Sequence, residues 1–106
     1  MNDTQLLKGI LEGCVLKLIS KGETYGYEII SKLNEYGFDD IQDGTLYPVL
    51  NRLDKKGYIS CRMGYSPLGP RRKYFSITEE GKIFLDEFEK SYHKIVSQAN
   101  QILGKD

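Results

Sequence analysis

The spacing of apolar residues changes at Gly57, and this change constrains the fold more than any other feature of the 106-residue chain. Before Gly57, apolar residues recur three and four positions apart, which is typical of amphipathic helices. After it, Ile59, Cys61 and Met63 alternate with their neighbours, which is typical of a half-buried strand. Helical spacing returns after Thr78. The sequence therefore predicts a mainly α (α+β) fold with helices, then a β-hairpin, then a long helix.

Two helices are predicted at the start of the chain. The first begins at Asn2 or Asp3 as its cap and ends at Gly22, and the second begins at Thr24 as its cap and ends at Gly37. The first is apolar on two sides, one of which carries Leu6, Ile10 and Cys14. In a small protein, this pattern indicates that one side packs inside the domain and the other against a partner.

The third predicted helix, residues 44–56, has an apolar inner stripe and a cationic outer face with almost no acid. We expect Pro48 in its first turn and Thr45 as its N-cap. The inner stripe is Leu46, Val49, Leu50 and Leu53, and the outer face is Tyr47, Pro48, Asn51, Arg52 and Lys55. A helix, a short Gly-containing turn and such a helix match the helix-turn-helix plan, whose second helix reads the major groove. The alternative is a surface helix whose basic side chains are solvated.

A hairpin is predicted after the third helix. Its loop, residues 64–70, is rich in glycine and proline, and its return strand, residues 71–77, turns Phe75 and Ile77 inward. Arg71, Arg72 and Lys73 flank the loop. A cationic hairpin beside a recognition helix is typical of a wing that contacts the nucleic-acid backbone.

Charge is divided unequally along a chain whose formal net charge is zero. Residues 52–73 hold seven basic side chains and one acid, a net +6, whereas the remainder holds eight basic and fourteen acidic side chains, a net −6. This division favours an oriented contact with a polyanion such as double-stranded DNA.

The last helix, capped by Thr78 and ended by Gly104, carries a seam of apolar residues spaced three and four apart. We expect the seam to pack on a second copy in a two-fold dimer, and the alternative is that it folds back on its own domain. The predicted interface is Leu6, Ile10, Leu85, Phe88, Tyr92, Ile95, Ala99 and Ile102.

Other classes of function find no support in the residues. No apolar run approaches the roughly 20 residues of a membrane span, and no signal peptide is recognisable. Cys14 and Cys61 are expected to be reduced and buried, which favours the cytoplasm. One histidine and no Cys-x-x-Cys motif predict no metal and no cofactor, and no catalytic set emerges.

Several segments together resemble the PadR family of bacterial transcriptional regulators, from Leu6 to Leu103. They are residues 25–30 (Tyr-Gly-Tyr-Glu-Ile-Ile), 44–53 (Gly-Thr-Leu-Tyr-Pro-Val-Leu-Asn-Arg-Leu), 56–59 (Lys-Gly-Tyr-Ile), 69–75 (Gly-Pro-Arg-Arg-Lys-Tyr-Phe) and 77–82 (Ile-Thr-Glu-Glu-Gly-Lys). The resemblance implies a winged helix-turn-helix repressor of the short class, dimeric through its first and last helices. It implies that Tyr25 and Tyr27 are scaffold residues near phosphate. Some short members stack planar drugs on an interface tryptophan, which this chain lacks.

The leading hypothesis is a homodimeric DNA-binding repressor of a palindromic operator. Residues 1–78 form the DNA-binding domain and residues 79–106 the dimerisation helix, in one compact unit. The predicted DNA-binding residues are Tyr25, Thr45, Tyr47, Pro48, Asn51, Arg52, Lys55, Arg71, Arg72 and Lys73. Two alternatives stay open: a dimer that senses a small aromatic effector, and a winged protein-interaction module without a DNA partner.

Overall fold

The computed structural model describes residues 2–66 and 69–104. Within them, four helices and three strands follow in the order α1 (Thr4–Ser20), β1 (Thr24–Tyr25), α2 (Gly26–Glu35), α3 (Asp43–Lys55), β2 (Ile59–Ser66), β3 (Gly69–Ile77) and α4 (Glu79–Leu103). The strands form one antiparallel sheet in the order β1-β3-β2. This confirms the predicted winged helix-turn-helix fold with its long C-terminal helix. The predicted loop at 64–70 is shorter than expected, and its residues 67–68 lie outside the described residues.

The helix α3 starts earlier than predicted. The backbone N–H groups of Thr45 and Leu46 both donate to the carbonyl of Gln42, at 3.0 and 2.9 Å, so Gln42 is the N-cap. The prediction that Thr45 caps this helix is therefore wrong, and Pro48 lies inside the helix. Proline is tolerated there because the bond it cannot make would go to the carbonyl of Gly44, an exposed residue of the first turn.

The strand β1 was missed by sequence analysis, and it changes the start of the second helix. Thr24 and Tyr25 pair with Phe75 and Tyr74 of β3. Thr24 is consequently not the helix cap. Its hydroxyl instead donates to Glu28 Oε1 at 2.5 Å, and Tyr25 occupies the N-cap position without a side-chain hydrogen bond.

The core lies between the first three helices, the inner face of the sheet and the start of α4. Its fully buried side chains come mainly from α1, α2 and α3: Val15, Leu16, Ile19, Ile29, Leu33, Leu46, Leu50 and Leu53. The four predicted inner residues of α3 are all buried, which confirms the predicted orientation of that helix. Leu85 also belongs to this core, with 7% of its surface exposed.

The hairpin contacts the core only at its base. Ile59 and Phe75 are buried, but Cys61 is exposed and Met63 is 47% exposed. The prediction that Cys61 and Met63 face inward is wrong, although they share a sheet face with Phe75. They are exposed because β2 is an edge strand, and the hairpin extends past the helices that cover its base.

The helix α4 is attached through its first three turns. The Thr78 side chain caps it by accepting from the N–H of Gly81 at 3.0 Å, as predicted, and Gly104 ends it in the left-handed conformation. The rings of Tyr58 and Phe84 stack 4.4 Å apart, and the ring of Phe88 lies directly on the backbone of Gly13 in α1. Across residues 2–66 and 69–104, no helix combines the length and apolar character needed to cross a bilayer.

Packing at Gly81 gives a stability test. A Cβ at Gly81 would overlap the carbonyl oxygen of Tyr58 and lie 2.8 Å from Ile77, whereas a Cβ at Gly44 would meet no atom within 4 Å. Gly81→Ala should lower the free energy of unfolding by about 1–3 kcal/mol. Gly44→Ala, the control, should raise it by about 0.4–1 kcal/mol. Urea denaturation measures both, and equal stability of the two variants would contradict this account of the packing.

Candidate nucleic-acid interface

The outer face of α3 is polar and accessible because the inner stripe fixes the rotation of the helix. Pro48, Asn51, Arg52 and Lys55 are exposed, and Tyr47 is 38% exposed. Thr45, in the first turn, is also exposed. The structure therefore brings together on one helix every α3 residue that the sequence marks as DNA-binding.

An acid from α1 faces this helix, which sequence analysis did not predict. Glu12 lies 3.6 Å from Arg52 Nε and 3.9 Å from Lys56 Nζ, and its side chain is only 16% exposed. The expectation of a cationic face almost free of acid is therefore wrong at its α1 side. Glu12 is remote in sequence, so no pattern within the α3 segment could have revealed it.

Tyr47 joins α3 to the start of α2. A Cβ added to Gly26 would lie 2.5 Å from the Tyr47 hydroxyl oxygen and 3.1 Å from its ring carbon Cζ. Only glycine leaves room for this contact. The Tyr-Gly-Tyr motif at residues 25–27 thus gains a physical reason: its glycine admits Tyr47. The expected scaffold role of Tyr27 is wrong, because 79% of its surface is exposed.

The wing cations Arg71, Arg72 and Lys73 do not share one face. Side chains alternate along a strand, so Arg72 lies on the opposite side of β3 from Arg71 and Lys73. Arg71 lies over the ring of Tyr65, with 5.3 Å from its Cζ to the centroid. Arg72 lies over the ring of Tyr25 at 4.4 Å. Grouping all three as one set of wing cations therefore overlooked the alternation of side chains along the strand.

A cluster of five side chains covers the sheet face opposite Phe75; we call Glu23, Tyr25, Arg62, Arg72 and Tyr74 the outer-face cluster. Arg62 Nε and Nη2 donate to the two carboxylate oxygens of Glu23, both at 2.7 Å. Arg62 also lies over the Tyr74 ring at 4.7 Å. Tyr74 and Tyr25 meet edge to face with centroids 5.7 Å apart. These hydrogen bonds from Arg62 hold the pKa of Glu23 below its usual range.

Pairing with acids reduces the number of cations that remain accessible. Of the seven basic residues in 52–73, Arg52, Lys56 and Arg62 have acidic partners within the chain. In the described part of the chain, the other four make no salt bridge: Lys55, Arg71, Arg72 and Lys73. These four are the cations most available to an external anion.

A second surface, on α1 and the C-terminal part of α4, is apolar. Leu6, Ile95 and Ile102 are 62%, 58% and 85% exposed, Tyr92 is 38% exposed, and Ile10 and Ala99 are half-buried. Leu85 is corrected from interface to core, because it packs within its own chain. Phe88 is half-buried because it already covers Gly13. The first part of the seam, Leu85 and Phe88, therefore packs on its own domain. The part of α4 that stays open to a partner comes after Phe88 in the sequence.

Comparison with known proteins settles the family. Residues 15–87 match the profile of the "transcriptional regulator PadR-like family". The chain belongs to this family. The family consists of transcriptional regulators, not enzymes, in agreement with the prediction from the sequence.

Solved structures of relatives share the fold along nearly their whole length. A PadR-like transcriptional regulator of Bacillus cereus is 43% identical, with a TM-score of 0.83 over 96% of this chain and 99% of that one. A Streptococcus transcriptional regulator is 46% identical, with a TM-score of 0.83 over 93% of this chain and 97% of that one.

The negative transcriptional regulator PadR of Bacillus subtilis is 31% identical over 69% of this chain, and the match spans only 41% of that protein.

The ion pair between Glu23 and Arg62 gives a prediction on pH. Arg62→Gln should return the pKa of Glu23 towards its usual range, whereas the control Arg71→Gln should leave it unchanged; carboxyl carbon NMR measures both. Because the pKa is lower in the folded chain, the pair stabilises it above the unfolded pKa of about 4.3. That contribution is lost as the pH falls through the folded pKa. A Glu23 that titrates identically in Arg62→Gln and wild type would contradict the assignment.

Proposed function

We propose that this PadR-family regulator is a homodimer that binds a palindromic operator and represses transcription. One observation carries the proposal: a continuous line of contacts, passing through the backbone of Gly26, connects α3 to the wing. Tyr47 of α3 contacts Gly26, Tyr25 adjoins Gly26, and Arg72 lies over Tyr25. Recognition helix and wing therefore present cationic and aromatic side chains to the same duplex.

The proposed role of α3 is to read base edges in the major groove. Asn51 and Lys55 lie one turn apart on its outer face, and Lys55 has no acidic partner among the described residues. An amide can pair with adenine, and a cationic side chain can bind guanine or phosphate. Arg52 shares Glu12 with Lys56, so its contact with DNA would compete with that acid. We assign the more direct contacts to Asn51 and Lys55, with Thr45, Tyr47 and Pro48 beside the backbone.

The proposed role of the wing is to bind phosphates. Arg71, Arg72 and Lys73 have no acidic partner in the described residues, and their two faces would straddle a backbone. Such contacts position a protein on the duplex without reading its sequence. Tyr25 supports Arg72 through its ring and lies at the start of α2, from which its hydroxyl can reach the same backbone.

The proposed dimer uses the exposed apolar surface of α1 and α4. Four of the predicted interface residues, Leu6, Tyr92, Ile95 and Ile102, are between 38% and 85% exposed in the single chain. In the proposed dimer these side chains would form one apolar patch, and such a patch is typical of a protein–protein contact. Two-fold symmetry would present the two α3 helices to half-sites roughly 34–36 Å apart, one turn of the duplex.

Repression is proposed from the Bacillus subtilis relative, which is a negative regulator. Release by a small aromatic effector is a second part of the proposal. The rings of Phe84, Phe88 and Tyr92 follow one another along α4 at 6.3 and 6.4 Å, which supports an aromatic contact there. Phe88 fills the space above Gly13, so any such site would form between copies. A thermal-shift survey with planar phenols tests this part, and no shift with any compound would argue for a dry interface.

The wing gives a prediction on salt dependence. The double variant Arg71→Ala/Arg72→Ala should bind the operator more weakly, and its plot of log K against log salt should be shallower by about 0.9 for each phosphate that the variant leaves unneutralised. Lys90→Ala, whose ammonium pairs with Asp86 on α4, is the control and should keep the wild-type slope. Fluorescence anisotropy from low to high salt measures both. An unchanged slope in the double variant would show that the wing does not touch the duplex.

If wild-type protein binds no genomic fragment at low salt, direct DNA binding is refuted. The winged protein-interaction module then becomes the better hypothesis. Selection of bound fragments from a genomic pool supplies both this test and the operator used in the other experiments.

Two isoleucines on different sides of α4 test the dimer. Ile95 belongs to the seam, whereas Ile83, 64% exposed, lies on another side of the helix. Ile95→Glu should convert the dimer to monomer by placing a charge in the apolar contact, and Ile83→Glu should leave it intact. Sedimentation velocity distinguishes the two states. A dimer that survives Ile95→Glu but not Ile83→Glu would assign the interface to the other face.

A further inference from the structure

The hairpin needs an attachment beyond the core. Strands β2 and β3 have eight and nine residues, but only their base reaches the buried interior. The third strand, β1, adds just two residue pairs, Thr24 with Phe75 and Tyr25 with Tyr74. Two pairs leave the tilt of a long hairpin weakly fixed. The outer-face cluster provides further contacts at this junction.

Within this cluster, Arg62 spans the width of the sheet. It lies on the edge strand β2, directly opposite Tyr74 of the central strand β3. Its side chain passes over the Tyr74 ring and ends on Glu23, which immediately precedes β1. Both carboxylate oxygens accept a hydrogen bond, so the planar guanidinium is held in one orientation. The pair thus connects the outer edge of the hairpin to the body of the domain.

Gly64 makes room for this arrangement. A Cβ at Gly64 would lie 2.7 Å from Tyr74 Cε2 and 2.8 Å from Arg62 Nη1. Gly64 is also the partner of Arg72 in the β2–β3 register. The Tyr74 ring can consequently lie against Gly64, with its centroid 5.7 Å from that of Tyr25 in an edge-to-face contact. Tyr25 in turn supports the Arg72 guanidinium, which lies 4.4 Å from its ring centroid.

We propose that Glu23, Arg62 and Tyr74 are positioning residues, which set the wing so that Arg72 and Tyr25 meet the same duplex as α3. They act through their neighbours and do not themselves contact nucleic acid. The inference rests on the proposed function, because it assumes that the wing binds DNA. It adds three residues outside the DNA-binding set predicted from the sequence, one of which carries a negative charge.

The negative charge makes the proposal easy to separate from general electrostatics. Removing an acid beside a DNA-binding surface should strengthen binding if charge alone matters. Removing an acid that holds the wing should weaken it. Glu23→Gln therefore gives opposite results under the two explanations. Glu35→Gln is the matched control, since Glu35 lies at the far end of α2 and, among the described residues, its carboxylate forms a salt bridge only with Lys32, at 4.0 Å.

The experiment measures operator affinity by fluorescence anisotropy at one salt concentration, for wild type and both variants. We expect Glu23→Gln to bind about two- to fivefold more weakly per wing, the range that the coupling of an exposed ion pair allows. Glu35→Gln should bind as wild type does or slightly more tightly. The exchanged pair Glu23→Arg/Arg62→Glu should recover affinity relative to Glu23→Arg alone.

Hydrogen exchange of the hairpin amides is measured on the same proteins without DNA. Faster exchange in β2 and β3 of Glu23→Gln, with α2 and α4 unchanged, is the expected result. Equal or tighter binding by Glu23→Gln would overturn the positioning role while wild-type binding keeps the proposed function intact. Failure of wild type to bind any operator would overturn the proposed function itself, and the inference with it. Unchanged exchange would show that the ion pair does not hold the hairpin.

Discussion

Burial of one stripe of α3 is the constraint on which the rest of the structure depends. Leu46, Val49, Leu50 and Leu53 are 0–4% exposed, which fixes the rotation of the helix about its axis. Burying four such side chains contributes on the order of 1.5–3 kcal/mol each before conformational entropy is counted. Because the inner stripe fixes the rotation of α3, the side chain of Tyr47 is directed to Gly26. The polar side chains of the helix are left on its solvent-facing side. The candidate interface is thus a consequence of core packing.

Acidic side chains define the cationic surface as much as basic ones do. Glu12 takes up part of the charge of Arg52 and Lys56 at the α1 side, and Glu23 takes up that of Arg62 at the sheet. Among the described residues, the cations of this segment without a salt bridge are Lys55 on α3 and Arg71, Arg72 and Lys73 on the wing. Field lines from a smaller group of unpaired cations favour one docking orientation over many. The net charge of +6 on residues 52–73 therefore overstates the charge that a duplex would meet. It also says nothing of how the arrangement of the remaining cations favours one orientation of the duplex.

Helix periodicity predicted most of the fold because α1, α3 and α4 are long and regularly patterned. The ends of α4 were also predictable, because a threonine N-cap at Thr78 and a glycine at Gly104 are common start and stop signals of helices. The errors occur where contacts between residues distant in the sequence determine the local structure or the exposure of a side chain. A two-residue strand such as β1 has no period to detect, and Cys61 alternates correctly yet lies on an edge strand. Pro48 lies inside α3 because the helix begins at Asp43 and residues earlier in the sequence make its first turn. Of the candidate interface, α3 was predictable, whereas the pairing of Arg62 with Glu23, 39 residues apart, required the register of the sheet.

The helix α1 connects the two surfaces of the molecule. Its Gly13 receives the Phe88 ring, and its Lys17 pairs with Glu89 of α4 at 2.9 Å. One residue before Gly13, Glu12 faces Arg52 of α3 and Lys56, the C-cap of that helix. Gly13 and Glu12 are adjacent on α1, so the packing of α4 on α1 and the ion pairs with Arg52 and Lys56 are only one residue apart. The separations of 3.6 and 3.9 Å are longer than hydrogen bonds, so Glu12 acts on Arg52 and Lys56 through Coulomb attraction, which varies gradually with distance, and not through a directed hydrogen bond.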